Sequence, residues 1–92
     1  MEQQLYSIVC REISKYTGEV AVYECMTGTQ EKLSCEIFKF KMRSKFNPEL
    51  SYYVCHKDNQ EALIDILSDK NFKGCFESSR LNLLAKKIAV KL

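Results

Sequence analysis

The 92-residue chain has one proline, three glycines, one histidine and no tryptophan. So few turn residues argue against a sandwich or barrel of many short strands, and against a flexible linker. A single histidine, with no G-x-S-x-G and no glycine-rich phosphate loop, removes the familiar nucleophile and nucleotide motifs. No apolar run reaches the ~18 residues that a membrane-spanning helix needs. No two of the five cysteines are spaced C-x-x-C, so zinc-ribbon and thioredoxin readings lose their main support.

What is present is ordinary globular material, 46% hydrophobic and 28% charged. A chain of this length buries roughly 65% of its unfolded surface, enough for one core without staples, so residues 1–92 are expected to form one domain. An odd number of cysteines leaves a thiol over from any disulfide framework. The start, Met-Glu-Gln-Gln-Leu-Tyr, lacks the basic and apolar stretches of a secretory signal. Both point to a reducing, cytoplasmic compartment in which cysteine packs as a small hydrophobe.

The hydrophobic spacing predicts an α+β domain in the order α-β-β-β-α-α. Leu5, Ile8, Val9, Ile13 and Tyr16 follow helical spacing over 3–16, with Gly18 as the cap; the rival is a strand through Tyr6, Ile8 and Cys10. Residues 19–26 are rich in β-formers and predict a strand, followed by a turn at Thr27–Gln30 in which Gly28 is free to take a positive φ. A second strand over 32–43 completes an antiparallel hairpin. Its apolar residues change phase, from Leu33, Cys35 and Ile37 to Phe38, Phe40 and Met42, which calls for a bulge near Ile37–Phe38. Residues 51–56 predict a third strand. A helix capped by Asp58 or Asn59 runs to about Ser68, and Phe72 and Phe76 plug the core edge. A last helix runs from Ser78 or Ser79 to about Val90, with a terminal strand as the alternative for the closing residues. The expected architecture is a three-stranded antiparallel sheet with the helices on one face.

Charge is arranged in blocks. Residues 1–36 sum to −3, 39–45 to +4, 49–69 to −4 and 70–92 to +5, giving the net +2. If 38–46 is extended, Lys39, Lys41, Arg43 and Lys45 line one side while Phe38, Phe40 and Met42 line the other. Four like charges at two-residue spacing repel one another, and an anionic partner relieves that repulsion. Lysines on an exposed strand also discourage sheet aggregation, and Glu19 or Glu24 across the sheet offers them partners. Arg80, Lys86, Lys87 and Lys91 form a second basic face on the predicted last helix. Tyr52 and Tyr53 contribute one ring to each sheet face, one of them a surface anchor. Cys55 and His56 are adjacent on a strand and point to opposite faces, so they make no thiolate–imidazolium couple.

These features predict a small non-catalytic regulator or inhibitor without metal or cofactor. It docks on a larger protein with an acidic patch, steered by Lys39, Lys41, Arg43 and Lys45 and anchored by Tyr52 or Tyr53. The alternative is an RNA- or DNA-binding module on the same basic surface, although the isoelectric point of about 8.3 is below the ~9 usual for such domains. No membrane association is expected, and homodimerisation through an unpaired sheet edge is a related possibility.

Overall fold

The computed structural model describes residues 4–70, 72 and 89–92. The described elements are β1 (Tyr6–Ile13), β2 (Val20–Gly28), α1 (Gln30–Phe46), β3 (Leu50–His56), a 3-10 turn at Lys57–Asn59, α2 (Gln60–Leu67) and β4 (Ala89–Lys91). The four strands form one antiparallel sheet in the order β2-β1-β3-β4.

This corrects the expected fold at three places. The predicted N-terminal helix is a strand, β1, at the centre of the sheet between β2 and β3. Ser7, Ile8, Val9, Cys10 and Arg11 are all buried, because both faces of this strand are covered. A strand buried on both faces shows no alternation, and its continuous apolar run also satisfies helical spacing. The predicted strand over 32–43 is a helix, α1. The Thr29 hydroxyl caps it by accepting from the Lys32 amide, Glu31 sits in its first turn, and Arg43 and Lys45 in its last. Leu33, Ile37 and Phe40, three and four residues apart, turn toward the sheet, and no bulge at Ile37–Phe38 exists. Residues 89–91, expected to close a last helix with a terminal strand as the alternative, are the strand β4, paired with β3. The rest of that segment, with Phe76, Ser78 and Ser79, lies outside the described residues.

The hairpin is therefore β1–β2. Gly18, at φ 74, makes its turn, with the Gly18 amide donating to the Ser14 carbonyl and the Ser14 amide to the Glu19 carbonyl. Gly28 does not use its freedom to take a positive φ and ends β2. The bulge in the sheet lies in β2: Ile8 pairs with Met26 and Val9 with Glu24, so Cys25 is the extra residue. The strands at 20–28 and 50–56 and the helix at 60–67 agree with the hydrophobic pattern.

The helices lie on opposite faces of the sheet, not on one. Val9, Tyr53, Cys55, Ala89 and Phe72 pack with Leu63 and Leu67 of α2. Ile8, Cys10 and Tyr52 pack with Leu33 and Phe40 of α1. Neighbouring residues of one strand point to opposite faces, so the two clusters are separate cores with the sheet between them.

Candidate functional site: the outer face of helix α1

A helix advances about 100° per residue. The buried side of α1 is set by Leu33 and Phe40; Phe38, Met42 and Phe46, each four residues apart, lie on the other side. Phe38 is 72% exposed and Phe46 71%. The ridge they form is about 12 Å long at 1.5 Å per residue.

The basic residues are split by the same geometry. Lys39 and Arg43 are four apart and flank the ridge on one side. Lys41 and Lys45 are four apart and flank it on the other. All four are exposed, and the stripe of aligned cations expected from an extended segment does not exist. Arg43 leans inward, its guanidinium carbon 5.5 Å from the centre of the Phe40 ring. Among the described residues none of the four comes within 4.0 Å of a carboxylate; the ion pairs there are Lys57–Glu24 and Lys15–Glu49. Glu24, expected as a partner of the basic segment, is bound instead by Lys57 at 2.7 Å.

The acidic block folds elsewhere. Asp58, Glu61 and Asp65 are exposed on the 3-10 turn and α2, on the opposite side of the sheet from α1. Among the described residues no ion pair joins the 39–45 block to the 49–69 block.

Tyr52 and Tyr53 are 2% and 3% exposed, so neither is a surface anchor. Tyr52 packs at a tilt against Phe40 under α1, and Tyr53 packs edge-on against Phe72 on the α2 side. The expectation of one surface ring assumed helices on a single face. Phe38 and Phe46 hold the exposed aromatic position instead, and their four-residue steps with Met42 were the signal available in the sequence. Lys91 is exposed on the strand β4 and not on a helix as expected; Arg80, Lys86 and Lys87 lie outside the described residues.

Two further polar groupings bear on chemistry. On the α2 side the buried Ser7 hydroxyl donates to Gln60 Oε1 at 2.6 Å, and Lys57 Nζ reaches Glu24 Oε1 and Gln60 Oε1 at 2.7 and 2.9 Å. Hydrogen bonding from Lys57, then from Thr27, holds the Glu24 carboxyl below its usual range. On the α1 side the bulge sets Cys25 near Cys10. Burial first, then the neighbouring Cys10, pushes the Cys25 thiol up to about 11. Burial also raises Cys10 and Cys55. These shifts favour the thiol over the thiolate, the reverse of what a nucleophilic cysteine needs. Cys55 is buried on the α2 side while His56 stacks on Tyr6, ring centres 4.7 Å apart, so they do face apart. Among the described residues no three of His, Cys, Asp and Glu gather as metal ligands, and no helix is long and apolar enough to cross a membrane.

In comparisons with protein-family models, curated proteins and solved structures, the chain has no significant match.

Proposed function

We propose that the chain is a small non-catalytic interaction protein that docks through the outer face of α1 on an acidic surface of a larger protein. The observation that carries this is an apolar ridge, Phe38, Met42 and Phe46, between two pairs of cations that have no carboxylate partner among the described residues. Covering one phenylalanine side chain is worth about 1.5–3 kcal/mol, so the two rings supply affinity. The cations steer encounter and set which surfaces are accepted. The ridge favours a protein partner over duplex nucleic acid, whose phosphate backbone rewards the cations alone.

The test uses two double variants, Lys39→Glu/Lys45→Glu and Phe38→Ala/Phe46→Ala. Neither removes a residue of the buried side. Fluorescence anisotropy is read against a synthetic acidic amphipathic peptide helix and against mixed-sequence RNA. The expected result is peptide binding that both variants weaken at least tenfold. RNA binding that falls steeply with salt and ignores the phenylalanine changes would replace this function with nucleic-acid binding. Absence of binding to either probe at low salt would remove the α1 face as a docking site.

A further inference from the structure

Among the described residues β2 is an edge of the sheet, paired with β1 on its inner side only. The hydrogen bond from the Ser14 amide to the Glu19 carbonyl sets the phase of that ladder. In an antiparallel pair, residues that exchange hydrogen bonds alternate with residues that do not. Ala21 and Tyr23, opposite Glu12 and Cys10, therefore bond inward, while the amides and carbonyls of Val20, Val22 and Glu24 point outward.

Protein edges of this kind are ordinarily blunted by lysine, proline or a bulge. Val20–Glu24 contains no lysine or proline, and the bulge comes only at Cys25. Ala21, Tyr23 and Glu24 are exposed. Among the described residues nothing pairs with the outer side of these five, which form a regular template.

We infer that β2 is a self-association edge, on which a second copy of this chain pairs its own β2 antiparallel about a two-fold axis at Val22. In that register the outward groups of Val20 meet those of Glu24 of the other copy, Val22 meets Val22, and Glu24 meets Val20. Each pair exchanges two amide–carbonyl bonds. The charges suit this occupant. Glu24, bound by Lys57 at 2.7 Å, lies opposite a valine, and Glu19 falls opposite Cys25, so no like charges oppose one another. Tyr23 lies opposite Ala21, large against small. Val22, already packed on the α2-side core, joins that core to its copy across the axis. The contact is isologous and closes on itself, using up the longer edge; among the described residues the other edge is β4, three residues long. An interface of one short strand pair is at the small end of specific interfaces, so the dimer is expected to dissociate on dilution. This inference does not depend on the α1 face.

Sedimentation of the full chain under reducing conditions tests it. Wild type is expected to pass from monomer to dimer as concentration rises, and Val22→Pro to remain monomeric. The Val22 amide makes no bond inside the described fold, so proline there removes the intermolecular donor and blocks approach. A second variant guards against misfolding of the first. The two Val22 Cα atoms of the dimer are about 5.5 Å apart, within the disulfide range of about 4.4–6.8 Å. With oxidised glutathione as oxidant, Val22→Cys is expected to give covalent dimer above the wild-type background, and Ala21→Cys, which faces Tyr23 of the other copy, to give none above it. Wild type that stays monomeric at every concentration overturns the inference. So does a dimer unchanged in a folded Val22→Pro, or equal cross-linking through positions 21 and 22.

Discussion

The rings of Phe40 and Tyr52 meet with centroids 5.0 Å apart and planes tilted by 53°, while Phe38, two residues before Phe40, stands 72% exposed. A strand would put both phenylalanines on one face; the helix sends them to different sides. Phe40→Ala is expected to cost about 3–5 kcal/mol in chemical denaturation, through the cavity it leaves against Tyr52. Phe38→Ala and Phe46→Ala are expected to stay within about 0.5 kcal/mol of wild type. Equal costs for Phe38 and Phe40 would contradict this placement of α1.

Arg11 is a second test of the core. It is buried in the central strand, and its guanidinium donates to the Leu67 carbonyl at 2.7 Å and the Phe72 carbonyl at 2.6 Å, ending α2 and holding the segment after it. Burial lowers the Arg11 pKa from its ordinary value, and a guanidinium keeps its charge in proteins. Arg11→Ala leaves those carbonyls without their donor and is expected to cost about 3 kcal/mol. Arg11→Lys, a compact donor without the planar fork, is expected to recover less than half of that loss in the same denaturation measurement.

The Glu24–Lys57 pair predicts an acid limb of stability. The carboxyl titrates lower in the folded than in the unfolded chain, so its contribution is present above the ordinary carboxylate range of about 4 and is lost as pH falls through the folded value. Wild type should melt higher than Glu24→Gln near neutrality, and the difference should close on acidification below that range. A gap in melting temperature that is independent of pH would refute the assignment.

The thiols predict the opposite limb. Cys25 titrates at about 11, and Cys10 is also raised, whereas unfolded thiols titrate near about 8.5. Folding therefore favours the protonated thiols, and stability should decline as pH rises from about 8.5 toward 11. Cys25→Ser should delay that decline. Because its thiol is raised, alkylation at pH 8 followed by mass spectrometry should label Cys25 slowly despite its exposure.

By itself the amino-acid order determined the elements whose patterns are local. Residues 50–56 carry β-formers in a short run, and 60–67 carry an apolar face after turn residues. The same order put unlike charges into separate blocks. Tertiary structure decided the rest. Residues 6–13 are a strand because they sit between β2 and β3 with a helix over each face, and burial on both sides erases the alternation that marks a strand. Residues 30–46 contain both periods, and the break in two-residue phase between Ile37 and Phe38 was the trace of the helical one; Leu33, Ile37 and Phe40 need no break. The placement of α1 and α2 on opposite faces buried both tyrosines, left Phe38 and Phe46 outside, and kept the cations of α1 from the acids of α2. Long-range packing fixes that placement, and no window of neighbouring residues contains it.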